Sequence, residues 1–388
     1  MPRKLHAQCF TAFCLLSCLF RASANEWSTH PYRGITYIVR SELFPRPVSM
    51  HIVIIDLSAP GIGFKVTPPG GTLETIRQRT ADFLNQERAQ VAINAHFFLP
   101  FPSEDTNANV VGFAASEGTV FSPFEPQPIG PDYVDQSYAI LSYGPALNVD
   151  PSNSASIVHR DPDFADNAHV LEPVTIWNAV SGSAQIVENG VKTIPSYSGS
   201  PGGLNPIDFY SDENSWYSYP RSRTAIGVTS NSERLVLFTV DEVGGSEGLT
   251  PGEVADLLIQ DYHVIDALNL DGGGSTSLAL QDPATGIGGI VNSSSDNPAG
   301  RAIGSNLAVF AQPDPDSPIW LAARVDTAGN GLIISWRAPA PGWHLEQNPG
   351  LDPAEWTEVH ASVQSTGNRL EVSVPTDERA RFYRLRKE

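Results

Sequence analysis

Apolar residues recur along this chain in short blocks separated by turn-forming residues, a pattern that predicts many short strands and few long helices. From about Tyr37 to Val66 they alternate or cluster, as in Ile52-Val53-Ile54-Ile55, and read as strands. Between Thr72 and Ala89, Leu73, Ile76, Thr80 and the Phe83-Leu84 pair keep helical spacing, which predicts the first substantial helix. Val91-Ala92-Ile93 reads as a short buried strand, and Pro100 to Asp135, rich in Pro, Gly, Ser and Asn, as a long surface excursion. Strand-like runs return at Tyr138–Leu141, Val174–Val180, Ala225–Thr229 and Leu235–Val240. Thr250-Pro251-Gly252-Glu253 marks a helix start, with Thr as N-cap, Pro at the first position and Glu three residues on; that helix should reach about Tyr262. Ala267–Leu270 and Leu307–Phe310 complete the strands of a main unit expected over residues 25–312.

Repeated Pro and Asp from Pro313 to Pro318 predict a linker, because such residues cannot join a ladder. Beyond it, residues 319–388 carry four of the seven tryptophans and short strands at Leu332–Trp336, Thr357–Ala361, Arg369–Val374 and Phe382–Leu385. The fold class expected is α+β: a mixed β-sheet core flanked by helices, then a small C-terminal β-sandwich that resembles fibronectin type III modules. Trp336 lies inside an apolar strand pattern, so core packing explains it better than sugar stacking.

Composition narrows the function. With 41% apolar and 17% charged residues in 388, the chain can build a core and global disorder is excluded. Forty-three acidic residues against 24 basic ones, and a pI near 4.8, argue against a nucleic-acid-binding surface, which needs clustered Lys and Arg. Beyond residue 20 no apolar run approaches the roughly 20 residues a membrane-spanning helix needs. Arg3-Lys4, an apolar stretch from Cys9 to Phe20 and Ala22-Ser23-Ala24 form a secretory signal over residues 1–24. Leu15-Leu16-Ser17-Cys18 also looks like a lipoprotein box, but Leu19 and Phe20 continue the apolar run, which favours cleavage after Ala24 and a secreted or periplasmic protein. All three cysteines fall inside this segment, so the mature chain has no disulfide, thiolate metal site or cysteine nucleophile. No cofactor is expected, and no His/Cys/Asp spacing marks a metal site.

Three segments carry chemistry: Ala92-Ile93-Asn94-Ala95-His96-Phe97-Phe98, Arg223-Thr224-Ala225-Ile226-Gly227, and Asn269-Leu270-Asp271-Gly272-Gly273-Gly274-Ser275-Thr276. A triple glycine after a buried strand lets amide hydrogens converge on an anion, and Asp271 stands where the strand stops. A tight turn with a capping aspartate is the plainer alternative. Glu253 is most simply the capping partner of Thr250.

These segments, with Arg301-Ala302-Ile303-Gly304-Ser305-Asn306 and Val240-Asp241, resemble in order the phosphodiester glycosidase family over about residues 35–312. One departure is His96, where the family often has a small residue. The resemblance implies an exported hydrolase that cleaves the glycosidic bond of a sugar-1-phosphodiester, releasing sugar and a phosphomonoester. Such a substrate leaves as a phosphate monoester, so charge compensation matters more than protonation. On this reading Arg223 and Arg301, with the amides of Gly272, Gly273, Gly274 and Ser275, hold the phosphate, while Asp271 or Asp241 acts at the anomeric carbon. Asn94, His96 and Asp296 are further substrate-binding candidates. The partner is a carbohydrate phosphodiester or surface glycan; a noncatalytic glycan binder and a metal-dependent phosphodiesterase are the alternatives.

Overall fold

The computed structural model describes residues 24–126, 140–195, 217–293, 296, 299–314, 319–326, 331–338, 340–350, 352–366, 369–376 and 380–387. The expected secretory segment lies outside the described residues, apart from Ala24. Within them the protein is mostly β, with two α-helices, α1 (Thr80–Glu87) and α2 (Pro251–Tyr262). No helix among the described residues is long and apolar enough to cross a membrane.

Three sheets enclose the main core. The largest runs in the order Asn25–Tyr32, Ile35–Glu42, Val48–Asp56, Arg234–Val240, Arg223–Thr229, Val264–Asn269, Ala184–Glu188, Val191–Lys192. A second runs Gly288–Ile290, Leu278–Gln281, Val91–Asn94, Asn306–Phe310, Gly63–Val66. The third runs Thr119–Ser122, Ala114–Ser116, Asn178–Ser181, Ala146–Val149, Ala155–Val158. The expectation of mixed sheets is corrected: every ladder among the described residues is antiparallel. Tight reversals such as Tyr32 to Ile35, with Gly34 at φ +74°, return the chain at once, whereas parallel strands need long crossovers.

Alternation along the Arg223–Thr229 strand sends its side chains into two different cores. Ile226 and Val228 face the core shared with the second sheet, beside Ile93, Leu278 and Leu307. Ala225 faces the opposite way, towards α2, beside Leu249, Val254 and Leu258. Each such fully buried aliphatic side chain contributes about 1.5–3 kcal/mol. On the far face of the second sheet, α1 seats Phe83 and Leu84 against Ala92, Ala279 and Ala308.

The helix expected over Thr72–Ala89 is shorter, because tertiary pairing captures its first half. Thr75–Ile76 pairs with Asn107–Ala108, and the Gln78 amide donates to Ile303 O at 3.1 Å. Part of the expected surface excursion folds into the strands Asn107–Val110, Ala114–Ser116 and Thr119–Ser122, while its residues 127–135 lie outside the described ones. Of the Tyr138–Leu141 run, 138 and 139 also lie outside, and 140–141 form no strand. The start of α2 is as expected: Glu253 N donates to Thr250 Oγ1 at 3.2 Å and Thr250 N donates to Glu253 Oε2 at 2.8 Å.

Residues 319–387 form two further antiparallel sheets, one of Ala322–Asp326, Gly331–Arg337, Arg369–Pro375 and Gln364–Thr366, the other of Thr357–Glu358, Trp343–Asn348 and Phe382–Lys387. Ile334, Trp336, Leu345, Val372 and Val374 fill the space between them. Trp336 is a core residue, 2% exposed. Within the expected linker, Pro313 bridges to Tyr32, and 315–318 lie outside the described residues.

Candidate active site

The glycine turn leaves the Val264–Asn269 strand at the end of the large sheet where the Arg223 strand begins. Gly273 N donates to Ser222 O (2.9 Å), and the Ser222 hydroxyl donates to Gly273 O (2.9 Å). Ser275 N donates to Gly272 O (3.1 Å) and Thr276 N to Gly273 O (3.0 Å), closing a single 3₁₀ turn. The amides of Gly273 and Ser275, expected to cradle an anion, are therefore engaged within the turn and with its neighbouring strand. Gly273 holds φ +58°, which favours glycine, and Gly274 has a different reason for lacking a side chain. A Cβ there would overlap the Asp296 carboxylate and the Arg301 guanidinium.

Asn94 ties this turn to two strands. Its Nδ2 donates to the Asp271 carbonyl at 2.6 Å, and its Oδ1 accepts from the Thr224 hydroxyl (2.8 Å) and from Ser277 N (3.0 Å). Asn94 is fully buried, so it positions Asp271 through the backbone. Thr224 and Ser277 are partners that sequence reasoning missed, although both lie inside or beside the motifs it singled out.

Asp271, Asp296 and Arg301 come together at the turn. Arg301 Nε donates to Asp296 Oδ2 at 2.5 Å, and its guanidinium lies over the Phe101 ring, 4.6 Å from the centroid. Burial pushes the Asp271 carboxyl up to about 7. The nearby Ser275 hydroxyl, the Arg301 charge and the Gly272 amide pull it down, and Asp296 pushes it further up. Asp271 keeps a partial opening to solvent, as an acting carboxylate must.

Three other candidates sit differently. His96 is buried with Nε2 facing Phe113 O (3.2 Å) and Nδ1 facing the Ser305 hydroxyl (2.7 Å). A carbonyl only accepts, so Nε2 carries the hydrogen and Nδ1 accepts from Ser305. Desolvation lowers the imidazole to about 4, so it is neutral at ordinary pH. Arg223 shares the Ala225 face of its strand and points towards α2. There its Nε donates to Leu249 O (3.1 Å) and Nη2 to Tyr219 O (2.6 Å). Alternation puts Thr224 on the Asn94 face and Arg223 on the other.

Asp241 is also buried and multiply engaged. Its Oδ1 accepts from Ser293 N (2.9 Å) and Asn292 Nδ2 (3.2 Å), and its Oδ2 lies 3.4 Å from His51 Nε2. Asn292 in turn donates to Thr276 O (3.1 Å) and accepts from Leu278 N (2.7 Å). One carboxylate oxygen, Oδ1, thus anchors the loop behind the glycine turn, while Oδ2 faces His51. His51 gave no motif in the sequence, and Asn292 opens the polar stretch that leads to Asp296. No group of three His, Cys, Asp or Glu among the described residues is placed to hold a metal ion.

The family model described as phosphodiester glycosidase matches residues 88–310, the span that contains every group just described except His51. The chain belongs to the phosphodiester glycosidase family. No curated protein sequence matches this chain. Among solved structures it is similar to the zebrafish N-acetylglucosamine-1-phosphodiester alpha-N-acetylglucosaminidase catalytic domain auto-inhibited by its pro-peptide, at 18% identity and TM-score 0.46, over 75% of this chain and 83% of that one. It is similar also to a Burkholderia pseudomallei K96243 protein named as exported, at 13% identity and TM-score 0.49, over 74% of this chain and 96% of that one. A hypothetical protein from Synechocystis is similar at 19% identity and TM-score 0.45, over 72% of this chain and 62% of that one.

Proposed function

We propose that the protein hydrolyses the bond between an anomeric carbon and the phosphate of a sugar-1-phosphodiester, releasing free sugar and a phosphomonoester. The observation that carries this reading is the meeting of Asp271 with Arg301 at the glycine turn, inside the family-matched span. Arg301 supplies a planar donor fork to the phosphate oxygens, exchanging its Asp296 partner for the substrate. Asp271, ionised, acts at the anomeric carbon as nucleophile or as base towards water. No strong acid is needed opposite it, because a phosphate monoester is a weakly basic leaving group.

Export fits the charged head, apolar middle and small-residue end of residues 1–24, and residues 319–388 fit a separate noncatalytic module of the fibronectin type III kind. The test is incubation with a panel of sugar-1-phosphodiesters in ¹⁸O-water. Glycosidic cleavage places the label in the free sugar; label in the phosphate instead means phosphodiester cleavage and removes the proposal. Arg301→Ala and Asp271→Asn should each abolish product release.

A further inference from the structure

Three buried side chains from neighbouring strands form a line that ends at the glycine turn. Tyr37, on Ile35–Glu42, places its hydroxyl 2.7 Å from His51 Nδ1. His51, on Val48–Asp56, turns Nε2 to Asp241 Oδ2 at 3.4 Å. Asp241 follows Arg234–Val240 and holds Ser293 N and Asn292 Nδ2, and Asn292 holds Thr276 O and Leu278 N, the residues that lead out of the turn. Register puts the first three on one diagonal: Val39 pairs with His51, and His51 with Thr239, while Tyr37 and Asp241 stand two residues from Val39 and Thr239.

The hydrogens in this line can be assigned. Burial, with the Asp241 charge second, holds the Tyr37 phenol well above its ordinary value, so it stays protonated. With its hydroxyl donating to Nδ1, the ring places a hydrogen on Nε2, the nitrogen that faces the carboxylate. Asp241 then has two donors on Oδ1, Asn292 and Ser293, and the His51 ring facing Oδ2 at 3.4 Å. A buried carboxylate so held is a fixed post, and removing one donor leaves charge under-compensated at the place that fixes the turn.

We infer that His51 is a positioning residue, which with Tyr37 locks Asp241 as the anchor of the 292–293 segment and thereby sets the geometry of the turn carrying Asp271. The inference deepens the proposed reaction and rests on Asp271 being its acting group. It gives Asp241 a positioning role in place of a nucleophilic one, with Oδ1 taken up by Ser293 N and Asn292 Nδ2 and Oδ2 turned to His51.

The experiment compares wild type, His51→Leu, His51→Gln and Tyr37→Phe. The first readout is the ¹³C titration of the Asp271 carboxyl, which needs no substrate and is therefore informative even if no sugar phosphodiester is turned over. Arg301, Asp296 and Ser275 face that carboxyl and remain in all four proteins. Loosening of the turn in His51→Leu should admit water and lower the Asp271 midpoint by about one unit or more. His51→Gln, whose amide still donates towards Asp241, should restore most of it. The second readout is kinetic: kcat should fall about 100-fold in His51→Leu with KM within about threefold of wild type, as misplacement of a reacting group predicts. Should His51→Leu not fold, Tyr37→Phe decides, with an expected loss of about threefold to tenfold in kcat and a smaller downward shift of the midpoint. An Asp271 midpoint unchanged in the folded variants, or equal losses in His51→Leu and His51→Gln, overturns the inference.

Discussion

Gly274 and Arg301 are in contact: the guanidinium, with the Asp296 carboxylate beside it, occupies the space a side chain on Gly274 would need. The atoms in the way are the far ends of two flexible side chains, so the backbone can accept an alanine while the site cannot. Gly274→Ala should therefore leave Tm within a few degrees of wild type and displace Arg301 by about an ångström or more. Turnover should drop about 10- to 100-fold, with a parallel loss of affinity for inorganic phosphate. Calorimetric phosphate titration of the two proteins checks this; equal affinities would show that Arg301 is not the anion ligand.

The Asp271 carboxyl, raised to about 7 from an ordinary 3.8, makes a prediction for both rate and stability. If the ionised form acts, kcat/KM climbs with pH through about 7, and Asp271→Asn is inactive at every pH. Stability runs the other way. Because the folded state favours the protonated form, the contribution is complete below about pH 4 and is lost as pH rises through 7. Asp271→Asn should be more stable than wild type at pH 8 by roughly 1–3 kcal/mol and little different at pH 4. Urea denaturation at the two pH values measures it, and a wild type less stable at pH 4 than the variant contradicts the assignment.

The sequence showed most of the strands because their apolar blocks are short and bounded by Gly, Pro and Asn, and it showed α2 because Thr250 and Glu253 form a complete cap. It over-extended α1, since Leu73 and Ile76, which keep helical spacing, stay exposed and Ile76 pairs across to Asn107. For the site, the motifs located Asn94, Asp271 and Arg301, but not which face each used. Arg223 and Thr224 are adjacent in one motif and point to opposite sides of a sheet, a distinction that depends on register. His51 carries no local pattern, and Asn292 stands in a polar loop whose sequence names no partner; only the fold brings residues 51, 241 and 292 together.

Arg223, placed on the α2 side of its strand, becomes a stability residue. Its guanidinium holds the carbonyls of Tyr219 and Leu249, just ahead of α2, in a fully buried position. Lysine keeps the charge and loses the fork. Arg223→Lys should lower unfolding free energy by about 2–4 kcal/mol in chemical denaturation, while the folded fraction binds inorganic phosphate with wild-type affinity. A selective loss of phosphate binding at unchanged stability would return Arg223 to the anion site.

A second carboxyl titrates far from its usual range without belonging to the site. Glu125 is raised to about 7 from an ordinary 4.5, first by burial and then by the charge of Glu74, with the Gly112 amide opposing. Glu74 itself is raised by burial while its Oε2 accepts from Val110 N at 2.8 Å. The two acids thus grip one bend of the chain through amides two residues apart, and repel each other when both ionise. Folding favours the protonated Glu125, so its contribution is whole below about pH 4.5 and disappears as pH climbs through 7. Glu125→Gln keeps an oxygen for the Gly112 amide and cannot ionise. After discounting for its partial exposure, the variant should gain roughly 1–2 kcal/mol over wild type at pH 8 and nothing at pH 4. The same urea measurement separates this effect from that of Asp271, because the Glu125 variant keeps the wild-type pH–rate profile; a shifted rate profile would mean that the two acids are coupled through the bend and are not independent.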